Sequence, residues 1–331
     1  MTGARDYIHV LATRLGIGVY DETWYDYRMS LFEAITVPCM KAQTSRDFDW
    51  LIVVDKQMPP LARQRLDAAI AGVPRAEVLS VEFKSDFRKA IVDWGKDAAR
   101  LAGREYILSS RLDDDDALRV DFFERLRFEA DDFLRRETGK PRRGVFSFTL
   151  GTMWVPSTRF GYTRYHDSHS LGLSVVEPIA THRSVYYWTH PEIKQRLAPQ
   201  GAYIRGVDGD DIRWWLYAAH PLAVTDRGDN VRYKKVMEHK HRYRIDDDFL
   251  ATFGVDASAV DALAETTVPQ QAPDPQPLST RAMDLEHEIK ALRGQEDGAG
   301  MWERRRLRRR IEELQAERRR VGSNIVASEQ P

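Results

Sequence analysis

Tyr106-Ile107-Leu108-Ser109-Ser110 runs without a break into Arg111-Leu112-Asp113-Asp114-Asp115-Asp116-Ala117-Leu118. The first five residues have the apolar start and short length of a strand buried inside a parallel sheet. Four consecutive aspartates then carry more like charge than a folded chain leaves uncompensated. A strand ending in carboxylates puts them at the edge of a sheet, where open α/β sheets bind their ligands. The same letters can arise from a solvated loop or a helix cap, so the meaning of the run depends on its surroundings.

Upstream, strands alternate with helices. Tyr7 to Ala12 is a short apolar run. Met29 to Ile35 has helical spacing and is expected to stop at Pro38. Phe48 to Asp55 is the clearest buried strand and ends on a carboxylate. Pro59 and Pro60 open a helix through Leu61, Leu66, Ala69 and Ile70, Glu77 to Val81 is a third strand, and Phe87 to Leu101 is helical. This β-α-β-α order predicts a parallel sheet covered by helices. Three polar features then fall at strand ends: Thr13-Arg14, Asp55, and Asp113 to Asp116.

From about Gly144 the pattern changes. Val145 to Phe148 and Thr152 to Val155 look like antiparallel strands, followed by a polar, aromatic-rich loop through His166 and His169. Ser184 to Trp188 reads as another strand. Gly206-Val207-Asp208-Gly209-Asp210-Asp211 is a second acidic turn, expected to cap a helix beginning near Ile212, and Val255 to Ala264 as a further helix. Residues 266–278 are rich in Pro and Gln and read as a linker. Beyond it, Leu285, Ile289 and Leu292, then Leu307, Ile311, Leu314 and Val321, recur at helical spacing, with Gly298-Ala299-Gly300 between them and arginines on the other faces. A helical hairpin, a short coiled-coil dimer or a basic arm would each fit. The expected division is residues 1–265 as one α/β domain (a donor half to about 120, an acceptor half after it), the linker, and a tail over 279–331.

The 331 residues are 42% hydrophobic and 10% aromatic, which supplies a large core. The formal charge of −1 and the confinement of the densest basic run to the tail argue against a nucleic-acid-binding face. A single cysteine, Cys39, excludes an intrachain disulfide and a cysteine-based zinc site. The beginning of the sequence lacks a signal-like apolar stretch and no segment is apolar enough to span a bilayer, so a cytoplasmic protein is expected; the basic faces of the tail read first as the solvated side of an oligomerising helix and second as an arm for an acidic membrane or polymer surface.

An Asp-X-Asp arrangement can direct its first and third side chains toward one pocket, with a divalent cation relieving their repulsion. Oxygen ligands suit Mg²⁺ or Mn²⁺. Such an ion bridges a diphosphate and neutralises charge on a leaving group. The run Arg111 to Leu118 also resembles the Arg-Leu-Asp-Asn-Asp-Asp-Ala-Leu signature of the putative rhamnosyltransferase family, a branch of the GT-A glycosyltransferases. Arg28, Leu31-Phe32-Glu33, Pro38, Gln43, Phe48 to Leu51 and Asp55 resemble its N-terminal half. Ser168 to Glu177, Val185 and His190 resemble its middle, and the similarity spans roughly residues 7–245.

The resemblance implies a GT-A (Rossmann-like nucleotide-diphospho-sugar transferase) fold with the helical or coiled-coil tail appended. It implies a dTDP-, UDP- or GDP-linked sugar donor and a glycan, lipid-linked or protein acceptor. Asp113 and Asp115 would serve the ribose and the metal, with Asp116 supporting them. Thr13, Arg14, Asp55 and Arg111 would lie around the donor. Asp211 would be the catalytic base of an inverting enzyme and Asp210 the preceding acid, with Asp208 in reserve. Where relatives carry His-Gly-X-Asn this chain reads Arg227-Gly228-Asp229-Asn230. Arg227 can pair with a diphosphate but cannot ligate a metal, which leaves His239 and His241 as substitutes. Among Trp154, Tyr162, Tyr165, Tyr186, Tyr187 and Trp188, one or two are expected to touch an acceptor sugar. A retaining transferase or hydrolase, and a non-catalytic sugar-binding module with an oligomerising tail, are the competing readings.

Overall fold

The computed structural model describes residues 6–136, 143–221 and 231–266 apart from 83, 168, 169, 191 and 210, together with 268, 285, 288, 289, 291, 292, 295 and 300–328. The chain forms two compact units, Met1–Ala272 and Pro273–Pro331.

In the first unit, β1 (Tyr7–Leu15), β2 (Asp49–Asp55), β3 (Ala76–Val81) and β4 (Tyr106–Arg111) are parallel neighbours in the order β3-β2-β1-β4. Helices α1 (Glu22–Leu31), α2 (Val37–Lys41), α3 (Pro60–Ile70) and α4 (Phe87–Leu101) fill the connections. The reason α4 covers the sheet is its single stripe of Phe87, Ile91, Gly95 and Ala99, four residues apart and all buried. The expected α/β class and parallel first half are therefore what the chain adopts.

After β4 the chain passes through β5 (Ala117–Leu118) and α5 (Phe122–Arg136) to β6 (Gly144–Phe148), β7 (Leu150–Val155), β8 (Phe160–Tyr165) and β9 (Ser174–Pro178). Then come α6 (Glu192–Leu197), β10 (Tyr203–Val207), β11 (Trp215–Ala218), α7 (Val231–Met237), β12 (Tyr243–Arg244), α8 (Asp247–Ala251) and α9 (Ala257–Ala262). The large sheet has the order β10-β6-β9-β4-β1-β2-β3, and a second sheet runs β12-β8-β7-β11-β5. Only β9 opposes the direction of its neighbours in the large sheet, since β4-β9 and β9-β6 are antiparallel and β6-β10 is parallel. The carboxyl ends of β1, β2, β4, β6 and β10 therefore share one edge. Chain order reverses between β1 and β4, and this is the switch point at which α/β sheets open a ligand crevice.

Three local expectations are corrected and one is refined. Pro38 does not end the helix: a π-helical turn, Phe32–Thr36, widens the chain ahead of it and α2 carries on to Lys41. Proline lacks the N–H that the fourth carbonyl behind it would accept, and the wider turn absorbs that defect. Val145–Phe148 and Thr152–Val155 are strands with antiparallel neighbours, as expected, β6 pairing with β9 in the large sheet and β7 with β8 in the second. Residues 184–188 form turns instead of a strand. The buried Glu177 Oε2 accepts the N–H groups of Arg183 and Ser184, and Ser184 adopts φ 68°, which folds the segment back. No helix starts at Ile212: the Trp214 N–H donates to Leu150 O and the chain enters β11, so sheet pairing overrides the capping letters.

In the second unit, α10 (Met301–Ser328) buries Ile311 and Leu314 against Leu285 and Ile289, with Leu292 alongside. Arg310 lies 3.3 Å from Glu288. The helically spaced residues thus pack within one chain, as in a hairpin. The linker residues 266–278 lie, except for 266 and 268, outside the described residues.

Candidate functional site

The carboxyl edge gathers most of the residues that the sequence singles out. Arg14 is exposed near the end of β1. The loop after it turns through Gly16 and Gly18, at φ 61° and 84°, and a Cβ at Gly16 would meet the Tyr25 hydroxyl at 2.3 Å. Asp55, at the end of β2, is buried and holds this loop: its Oδ2 accepts the Gly18 N–H at 3.1 Å and the Tyr20 hydroxyl at 3.3 Å, and its Oδ1 accepts the Gln57 N–H at 2.8 Å. Asp55 thereby shapes the crevice wall from behind. Thr13 is fully buried, and its hydroxyl accepts from Trp50 Nε1 at 3.0 Å.

The four aspartates have four environments. Asp113 is the half-exposed one, its side chain 35% accessible, with Arg111 3.8 Å away. Asp114 is buried and receives a fork from Arg28, whose Nε and second terminal nitrogen lie 2.7 and 2.6 Å from its oxygens. The buried Asp115 places Oδ2 2.8 Å from His220 Nε2 and 2.9 Å from the other terminal nitrogen of Arg28. Burial alone would raise the Asp115 pKa, but Arg28 and His220 hold it below the ordinary carboxylate value. Asp116 Oδ1 accepts the Ala218 N–H at 2.7 Å, and burial next to Asp115 and Asp113 pushes its pKa well up. One carboxyl group, that of Asp113, is thus half-exposed while its neighbours are tied into the protein.

Sequence reasoning missed His220. Trp215 pairs with Leu118 and Leu216 with Ala117, so antiparallel β11 carries its far end, Ala218 to His220, back to the acidic run. A polar residue just past an apolar strand, the signal that marked Asp55, was present at His220 too. His239 is spent elsewhere, stacked on Tyr162 with ring centroids 3.9 Å apart. Arg227 and Asp210 lie outside the described residues.

Arg111 lies 4.7 Å over the Tyr186 ring, and the Tyr186 hydroxyl donates to Ala12 O at 2.7 Å, which ties the 184–188 turn to β1. His190 is pushed down to about 4 by burial, then by Arg111 and His166 nearby, and so is a neutral ring at pH 7. Its ring is 6.5 Å from that of His166. Arg232 reaches the Tyr217 hydroxyl from α7. Of the expected aromatic floor, Trp154 and Tyr162 are core residues, whereas Tyr165 and Tyr187 are 63% and 44% exposed.

The second acidic turn follows β10 on the same edge. Asp208 accepts from Thr149, and Asp211 is exposed with left-handed backbone at φ 58°. Three strand spacings separate β10 from β4, which puts this turn roughly 14 Å across the sheet edge from the acidic run.

The donor atoms at the acidic run suit a divalent cation. Asp113 and Asp115 offer carboxylate oxygens and His220 an imidazole nitrogen, and the 2.8 Å between Asp115 Oδ2 and His220 Nε2 is a spacing that two ligands of one ion can have. Among the described residues, no three His, Cys, Asp or Glu side chains converge as a ready cage. Mg²⁺ commonly takes one or two carboxylates and completes its shell with substrate phosphates and water, so an incomplete protein shell is compatible with it.

The sequence family described as Putative rhamnosyl transferase matches residues 1–208. No curated protein is similar enough in sequence to match. Among solved structures the chain is similar to a putative glucose-1-phosphate thymidylyltransferase from Bacillus anthracis in complex with a sucrose, at 10% identity and a TM-score of 0.37, covering 80% of this chain and 98% of that one. It is similar to residues 1–349 of S. aureus TarS in complex with UDP-GlcNAc, at 12% identity and a TM-score of 0.37, covering 88% of this chain and 80% of that one. A putative nucleotide-diphospho-sugar transferase from Desulfovibrio desulfuricans is 10% identical with a TM-score of 0.35, covering 78% of this chain and 96% of that one.

Proposed function

We infer, from its membership of the putative rhamnosyl transferase family, whose model matches residues 1–208, that the chain is a nucleotide-sugar glycosyltransferase of the GT-A class. From that premise we propose that it is metal-dependent and transfers the sugar to an acceptor hydroxyl with inversion. The observation that carries this reading is the half-exposed Asp113 at the switch point, flanked by Arg111 and backed by the Arg28-Asp114-Asp115-His220 cluster.

In this reading the nucleotide lies over the ends of β1 and β2, against the loop that Asp55 holds. Asp113 takes the ribose or the ion, and Asp115 with His220 the ion. Mn²⁺ or Mg²⁺, when bound, supplies Lewis-acid neutralisation of the diphosphate. Arg111 and Arg14 add positive charge where the leaving group gathers negative charge, and neutral His190 can donate a hydrogen bond to a phosphate oxygen. Across the crevice, the Asp211 carboxylate takes the proton of the acceptor hydroxyl as that oxygen attacks the anomeric carbon. Attack from the side opposite the departing diphosphate inverts the configuration. The left-handed backbone at Asp211 supports this role, since such strain gathers at working positions.

Release of nucleoside diphosphate from dTDP-, UDP- and GDP-linked sugars, with and without Mn²⁺, tests the reading. We expect Asp113→Ala and Asp211→Ala each to lower turnover about a hundredfold or more, in the range of losing a metal ligand or a general base. Full activity of both variants, or of the native protein in chelator, would overturn it. The anomeric configuration of the product decides inversion directly.

A further inference from the structure

Arg28 takes no part in the steps above, yet it is 6% exposed and held on three sides. Its fork on Asp114 is a complete bidentate pair. Its remaining terminal nitrogen does something different. It lies 2.9 Å from Asp115 Oδ2 and 2.6 Å from His220 Nε2, while those two atoms are 2.8 Å from each other.

This triangle is too tight for three straight hydrogen bonds. If His220 Nε2 carries a proton, that proton serves Asp115 and the guanidinium N–H faces another donor. If it carries none, its lone pair serves Arg28 and opposes the lone pairs of Asp115. Either tautomer leaves one repulsive contact. The two N–H groups of the terminal nitrogen can serve Oδ2 and Nε2 only through bent bonds, because the two acceptors lie close together, whereas a divalent cation would take both lone pairs as ligands.

We propose that Arg28 is a positioning residue with two separable duties. Its fork on Asp114 fixes the acidic run permanently. Its other arm is a built-in counter-cation for Asp115 that must give way when the ion enters. The proposal rests on the metal-dependent reading above. Its consequence is coupling: the ion binds the free protein weakly and enters well only with a diphosphate, whose own oxygens offset the displacement of Arg28.

The test is Mn²⁺ binding by calorimetry and by electron paramagnetic resonance on the full chain, with Mn²⁺ alone and with UDP, GDP or dTDP. Arg28→Gln combined with Asp114→Asn removes one charge of each sign, so the cluster keeps its net charge while Asp115 and His220 lose the guanidinium. The variant should bind Mn²⁺ alone about tenfold more tightly than the native protein, and its gain on adding nucleotide should shrink. A residue of purely architectural value would not strengthen ion binding when removed. Arg28→Lys keeps the charge but has no second nitrogen for Asp115, and should shift the same way. Equal Mn²⁺ affinity in native and altered proteins, with nucleotide-dependent binding intact, would overturn the role of Arg28 and leave the metal reading standing. Absence of Mn²⁺ binding in the native protein with every nucleotide would sink the metal reading, and this proposal with it.

Discussion

Asp113 to Asp116 are identical letters, and the fold gives each a different task. Their position at a strand end was legible because a buried strand and its last residue are local features. Which aspartate faces the crevice was not, because that depends on Arg28 and His220, 86 and 105 residues away in sequence. His190 shows the same limit: nothing adjacent in the sequence marks it as a ring held neutral by burial and by the charge of Arg111. It also gives a prediction at this scale. A histidine pushed from 6.5 to about 4 takes up its proton more readily in the unfolded chain. Its stabilising share is therefore complete above the unfolded value and drains away as pH falls through that window. Melting temperatures recorded between about pH 7 and pH 4 should fall less steeply for His190→Gln than for the native protein. His166 and His220, which are also held low, leave part of the slope in place.

Among the elements, the parallel half could be read from apolar runs, and the sheet-swapping half could not. Period-two patterns show that β6 and β7 are strands without saying which sheet each joins. That choice is made by tertiary packing, most visibly at Gly151. Trp215, paired opposite it, is fully buried, and its indole Nε1 donates to Phe148 O at 2.9 Å. A Cβ at Gly151 would sit 2.0 Å from that ring. Gly151→Ala should cost about 1–3 kcal/mol as overpacking, readable as a lower denaturation midpoint at unchanged slope. Since β11 also delivers His220, the same variant should weaken metal-linked nucleotide binding. Unchanged stability would mean that the second sheet yields more easily than its packing implies.

At the scale of the whole molecule, each unit has a core of its own, with Leu285, Ile289, Ile311 and Leu314 filling that of the second. The tail's helical spacing was plain in the sequence, but which apolar residues meet was not, since Leu285 and Ile289 lie far along the chain from the Ile311 and Leu314 they pack against. Among the described residues, no helix is long and apolar enough to cross a membrane. The donor site has another property, fixed by β11 returning to the acidic run from a hundred residues downstream. Contacts of such separation are slow to close, because loop entropy is lost before they reward it. Helices and the β1-β2-β3 meander of crossovers can assemble early, while the pocket waits for the second sheet. In a refolding time course, helical ellipticity should therefore recover before nucleotide binding does, and a bound ion or donor should slow unfolding more than it speeds folding. The chain would acquire its ligand as its last folding event, so that occupancy of the crevice is itself a certificate that the entire first unit has been completed.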